Sequence, residues 1–187
     1  MYYNIVSRFI ALGLLLVMLP FFFIFSIVIF LSDGLPIFYF QKRVGYKNSY
    51  FQLIKFRTMK NGTPNVATHL VKNPEQHYIK FGKLIRKLSL DEIPQLLNII
   101  FGDMIFVGPR PALYNQYDLI ELRDEYEIHD LFPGITGWAQ VNGRDELSII
   151  KKVELDLFYK NENSVFLDAK IIFMTIFSVL LQKGIEH

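Results

Sequence analysis

The sequence predicts a membrane-associated α+β protein, on three observations. Residues 9–31 form an almost unbroken apolar run. Short aromatic and β-branched runs follow, and beyond them come segments with helical apolar spacing, punctuated by Gly and Pro. The 187 residues suit one domain, or one domain with an anchor.

Composition narrows the function classes. Hydrophobic residues make up 51% of the chain and aromatics 16%, richer in apolar material than a typical soluble domain, so contact with lipid is expected. With no cysteine, disulfides, thiolate metal sites and cysteine nucleophiles are excluded. The formal net charge is only +2, yet the basic residues cluster, at Lys42, Arg43, Lys47, Lys55, Arg57 and Lys60 and again at Lys80, Lys83, Arg86 and Lys87. Such clusters suit anionic headgroups or phosphates, or a solvated basic face.

As a helix rising about 1.5 Å per residue, residues 9–31 are long enough for a hydrocarbon core of about 30 Å. The run exceeds the apolar core of a cleaved signal peptide, and no small-residue cleavage site follows it. Pro20, near its middle, removes a backbone donor and clashes with the preceding turn. Basic residues flank both ends, Arg8 before and Lys42, Arg43 and Lys47 after, so charge assigns no polarity across a membrane. Two forms fit: a kinked span, and a helix that enters, breaks at Pro20 and turns back.

Residues 36–40 and 50–56 read as strands or extended segments, separated by Gly45 and polar residues. Residues 61–73, with Gly62, Pro64 and no periodicity, read as a loop. A basic amphipathic helix is expected over 75–87, with Tyr78, Phe81, Leu84, Ile85 and Leu88 at helical spacing, suited to an anionic membrane surface.

In the next stretch, Lys87-Leu88-Ser89-Leu90-Asp91-Glu92-Ile93-Pro94-Gln95-Leu96-Leu97-Asn98, Ser89 and Glu92 have capping-box spacing. Ile93, Leu96, Leu97 and Ile100 continue an apolar face to Gly102, a natural stop. Ser89 and Asp91 both fit as N-cap, and either choice puts Asp91 and Glu92 in the first turn. Acids there stabilise a helix against its dipole by about 0.3–1 kcal/mol and need no catalytic role.

Val107-Gly108-Pro109-Arg110-Pro111 holds an arginine between two prolines, which restrict the backbone around it. The segment 133–141 reads as a turn leading into a strand, and Asn142-Gly143 as a turn delivering Arg144 and Asp145. Arg110 and Arg144 on rigid turns suit a bidentate phosphate clamp, with surface ion pairing as the plainer use. Residues 166–181 are strongly apolar but short for a span, and read as a core or interfacial helix.

Taken in order, these motifs resemble one family. Phe40-Gln41-Lys42-Arg43-Val44-Gly45, Lys55-Phe56-Arg57-Thr58-Met59, Leu88-Ser89-Leu90-Asp91-Glu92-Ile93-Pro94-Gln95-Leu96, Gly102-Asp103-Met104, Val107-Gly108-Pro109-Arg110-Pro111, Pro133-Gly134-Ile135-Thr136-Gly137 and Asn142-Gly143-Arg144 are similar to those of the bacterial sugar transferases. These are the monotopic polyprenyl-phosphate phosphoglycosyl transferases, and the resemblance, to their minimal catalytic form, covers nearly the whole chain. It implies an N-terminal anchor over 1–33, a re-entrant membrane helix broken at Pro20. Residues 34–187 are expected to form the catalytic domain, with interfacial amphipathic helices and a small mixed α/β region. Leu19 and Ala11 depart from the family, which often has Ser and an acid at these places.

The resemblance implies transfer of a phosphosugar from a UDP-sugar to membrane polyprenyl (undecaprenyl) phosphate, releasing UMP, as the first membrane step of a surface glycan pathway. Asp91 matches the family's nucleophile, which implies a phosphosugar-Asp91 intermediate and ping-pong kinetics. Mg2+ is the expected cofactor, held by Asp91 with Glu92 as a further ligand or phosphate-orienting group. Arg110 and Arg144 are expected at the phosphates, with Lys55 and Arg57 as further candidates. The expected location is the cytoplasmic face of the bacterial inner membrane. Membrane lipid is a partner, a homo-oligomer is compatible, and nucleic acid is not expected. The competing class is a non-catalytic protein binding anionic lipid through its basic helix.

Overall fold

The computed structural model describes residues 2–64, 73–143 and 146–180. Helix α1 runs Tyr2–Asp33, and beyond Tyr3 more of its residues are exposed than buried or half-buried. It is the one helix among the described residues long and apolar enough to cross a membrane. Helix α1 is continuous through Pro20: residues on both sides are helical, and no non-helical residue divides the segment. One proline removes one hydrogen bond and strains one turn, which bends a helix more readily than it ends one.

Both halves of α1 pack on the same body. Ala11 and Leu15 join Leu53, Leu96, Ile99 and Met104 in one cluster, and Phe22, Phe25 and Ile29 join Phe56 and Ile79 in another. Ala11, where the family often carries an acid, is fully buried. At the far end the Arg57 guanidinium donates to the carbonyls of Asp33, Gly34 and Leu35, capping the helix C-terminus.

Strands β1 (Phe38–Val44) and β2 (Tyr50–Phe56) form an antiparallel hairpin in which Tyr39 faces Lys55 and Gln41 faces Leu53. The first strand is therefore longer than 36–40 and starts at Phe38. A second, parallel pair joins β3 (Ile105–Val107) to β4 (Gly134–Thr136).

The expected basic helix over 75–87 forms only as α2, Gly82–Lys87, after a 3-10 turn at Pro74–His77. Tyr78 and Ile79 instead bridge to Met59 and Thr58 as extended chain, and Phe81 takes a left-handed conformation at φ 65°. A Cβ at Gly82 would lie 2.2 Å from the Thr58 carbonyl oxygen, so helical spacing lost to a tertiary strand contact.

Helix α3 covers Gln95–Phe101 and ends at Gly102, φ 91°, whose amide bonds back to Asn98 and Ile99 as expected of a glycine stop. The remaining helices are α4 (Tyr117–Glu125), α5 (Trp138–Val141), α6 (Ile149–Glu162) and α7 (Val165–Leu180). The turn at 133 does lead into a strand, which ends at Thr136 before α5. On α7, Ile171 and Leu167 pack inward while Phe166, Phe173 and Phe177 stay exposed.

Candidate active site

Asp91 and Glu92 lie on a 3-10 turn, Leu90–Glu92, ahead of α3 rather than in its first turn. The capping box does not form: Ser89 is left-handed at φ 55°, with no side-chain cap, and Pro94 stands at the N-cap position of α3. Pro94 has no donor to lose there, which is why the regular helix begins only after it.

Asp91 is 3% exposed, and burial raises its pKa above the ordinary value, with Lys55 and Arg86 opposing. Lys55 Nζ lies 3.7 Å from Asp91 Oδ2 and 2.7 Å from Glu92 Oε1. Arg110 Nη2 donates to the same Glu92 oxygen at 2.9 Å. Burial pushes Glu92 up, but Arg110 and Lys55 together outweigh it and hold the carboxyl well below the usual range. Among the described residues no side chain hydrogen-bonds the Asp91 carboxylate. Two adjacent buried acids thus divide: Glu92 is neutralised by two cations, and Asp91 keeps its oxygens open.

The segment carrying Arg110 is tied along its length. The Val107 carbonyl accepts from Tyr159 Oη, that of Pro109 from the Gly134 amide, and that of Arg110 from Arg123 Nη1 at 2.8 Å. The carbonyls of Pro111 and Ala112 accept from Arg43 Nη1 and the Val44 amide. Gly108 must be glycine, since a Cβ there would lie 2.3 Å from the Phe132 carbonyl oxygen. Prolines and hydrogen bonds together leave Arg110 little freedom beyond its side chain, which is 37% exposed.

Of the residues singled out from sequence, Asp91, Glu92, Lys55 and Arg110 therefore meet. Arg57 does not join them: its side chain is 4% exposed and bonded to the end of α1 and to Asn61. Arg144 and Asp145 lie outside the described residues, as do most of the loop expected over 61–73 and Leu181. Sequence reasoning missed Asn98, whose amide accepts from the Ile54 amide and donates to the Gln52 carbonyl, fastening α3 to β2 one residue from Lys55. A polar residue inside an apolar helix was its only signal. It also missed Arg86, which acts on Asp91, and the Arg123–Asp156 pair beneath Arg110.

Among the described residues no three acids or histidines cluster as a ready-made metal cage. The pair Asp91 and Glu92 nonetheless suits Mg2+, which binds through one or two carboxylates, waters and substrate phosphates.

The model of a family described as bacterial sugar transferase matches residues 2–182. The chain is 45% identical over 162 residues to an uncharacterised sugar transferase, EpsL, of Bacillus subtilis (strain 168), covering 86% of this chain and 78% of that one. It is 38% identical over 167 residues to the UDP-glucose:undecaprenyl-phosphate glucose-1-phosphate transferase of Escherichia coli (strain K12), covering 85% and 36%. It is 34% identical over 166 residues to the UDP-N-acetylgalactosamine-undecaprenyl-phosphate N-acetylgalactosaminephosphotransferase of Aeromonas hydrophila, covering 85% and 39%. The match thus spans little more than a third of these two longer relatives.

Proposed function

The chain belongs to the bacterial sugar transferase family, and from that premise we propose that it transfers a phosphosugar from a UDP-sugar to undecaprenyl phosphate. The products are a polyprenyl-diphosphate sugar and UMP. The observation that carries this reading is the divided acid pair: a buried, open Asp91 carboxylate beside cations already ordered by Glu92.

The Asp91 carboxylate attacks the β-phosphorus of the UDP-sugar, the bond from that phosphorus to the bridging oxygen breaks, and UMP leaves. The phosphosugar is then an acyl phosphate on Asp91. An oxygen of the lipid phosphate attacks the same phosphorus, the acyl-phosphate bond breaks, and the carboxylate returns. Burial makes Asp91 a more basic carboxylate than a solvated one, and hence a better nucleophile once ionised. Lys55 and Arg110 stabilise the anionic phosphoryl oxygens, and Glu92 positions both cations. Asp91, with Glu92 beside it, would hold Mg2+, which would supply further charge neutralisation for the diphosphate.

The packing of both halves of α1 on one body supports an anchor that bends at Pro20 and returns, placing the site at headgroup level on the cytoplasmic face of the bacterial inner membrane. Because the chain has no cysteine, a single Tyr2→Cys probe is unambiguous. Labelling from the cytoplasmic side supports the bent anchor, and labelling from outside refutes it.

Purified protein given UDP-sugars, Mg2+ and undecaprenyl phosphate is expected to release UMP. Trapping of labelled sugar phosphate on the protein, lost in Asp91→Asn, tests the covalent step. Full activity in that variant sinks the nucleophile assignment. No release with any UDP-sugar favours a lipid-binding protein.

A further inference from the structure

A groove of about 260 Å³, lined only by apolar surface, runs between α1 and α2. Phe25 and Val28 line it from α1, Leu84 and Ile85 from α2, and Leu88 and Leu90 from the chain just after α2. Leu90 is the residue before Asp91, on the same 3-10 turn, and α2 packs against that turn. The lining of the groove thus reaches from α1 to the residue that precedes Asp91.

Three facts restrict what fits there. The lining offers no polar group, so a nucleotide or sugar gains nothing from it. The volume lies below the roughly 300–1,000 Å³ of a pocket that encloses a drug-sized ligand, so only part of a long apolar molecule enters. Next to Leu90 in the chain, Asp91 has the Lys55 ammonium at 3.7 Å and the Arg86 charge acting on it. An apolar trough whose lining adjoins a cation-flanked carboxylate turn matches a molecule with an apolar tail and an anionic head.

Resting on the transferase reading above, we propose that this groove holds the first isoprene units of the lipid acceptor, aligning its phosphate on the phosphorus bound to Asp91. It is a docking site for the acceptor alone and makes no contact with the sugar nucleotide.

Ping-pong kinetics separate the two substrates, because each kcat/KM reports only its own half-reaction. Leu84 is 53% exposed, so Leu84→Glu is compatible with folding. That substitution, and Val28→Trp as a second variant that fills the groove, are expected to lower kcat/KM for undecaprenyl phosphate by about tenfold. In both variants kcat/KM for the UDP-sugar stays at the unsubstituted value. With isoprenyl phosphates of increasing length, kcat/KM of the unsubstituted enzyme rises until the groove is full and then levels off.

Unchanged acceptor kinetics in both variants overturn the proposal, and so do equal losses for the two substrates, which indicate a general structural defect. A change in membrane retention with unaltered acceptor kcat/KM also overturns it, by identifying the groove as a seat for bulk phospholipid. Failure of the transferase reading is distinct: the unsubstituted protein then releases no UMP with any acceptor.

Discussion

The Asp91–Glu92 turn and the pair beneath Arg110 both place carboxylates among cations, and they differ in how firmly the buried acid is tied. Asp156 is 1% exposed and accepts from Arg123 through both Nε, at 3.1 Å, and Nη2, at 2.6 Å. Asp91 is nearly as buried, yet its nearest cation stands at 3.7 Å and no described side chain hydrogen-bonds it. Burial raises the pKa of both, with the Arg123 charge opposing it at Asp156. A buried carboxylate with a bidentate partner is a structural tie, and one kept open is available to substrate.

The largest test of this contrast is Asp91→Asn. UMP release is expected to fall by about a thousandfold or more, as for the loss of a covalent nucleophile. Thermal stability is expected to hold or rise, because the substitution removes a charge that burial disfavours. Loss of both activity and fold would erase the distinction between the two acids.

Asp156→Ala should do the reverse. Removing one partner of a buried pair costs about 3–5 kcal/mol, which lowers Tm by on the order of 10 °C for a chain of this size. Arg123 also holds the Arg110 carbonyl, so kcat/KM for the UDP-sugar should fall with it. Differential scanning calorimetry and steady-state kinetics read the two effects.

Arg110→Gln sharpens the comparison at the site itself. Losing one charged hydrogen bond is expected to lower kcat/KM for the UDP-sugar about 10–100-fold. It should also move the acidic limb of the pH–rate profile upward, since the Arg110 charge lowers the pKa of both Asp91 and Glu92. The stability signs differ between the two acids. Glu92, held below its ordinary 4.5, contributes stability that is complete above that value and lost as pH falls through its folded pKa. Asp91, raised above 3.8, binds its proton more tightly folded than unfolded, so its contribution declines as pH rises from there through its folded pKa.

The smallest effect is expected at Lys83→Ala. Its pair with Glu75 is short, 2.6 Å, but both side chains are more than half exposed. No measurable change in Tm is expected, because solvent screens such pairs.

The site was more legible than the local structure around it. Asp91, Glu92, Lys55 and Arg110 stood out from residue types set in collinear motifs, and the structure brings these four together. The capping box failed because Ser89 turned left-handed and Pro94 took the N-cap position. Helical spacing at 75–87 failed because Ile79 donates its amide to the Thr58 carbonyl. Asn98 went unassigned because its partners, Gln52 and Ile54, lie more than forty residues away in sequence. Periodicity reports which face is apolar, and it cannot report which distant backbone group needs a partner.

By itself the sequence determined the long apolar N-terminal segment, the first two strands, the glycine stop at Gly102 and the family, since each follows from composition, local chemistry or ordered motifs. Tertiary structure alone decided which cations serve the acids. Lys55 and Arg57 are two residues apart in one basic cluster, and nothing in their neighbourhood separates them. Strand β2 ends at Phe56, so Lys55 still faces the Asp91 turn while Arg57, just past the strand, turns to the carbonyls at the end of α1. Only a folded chain makes that division, because it depends on where a helix that starts more than fifty residues earlier comes to its end.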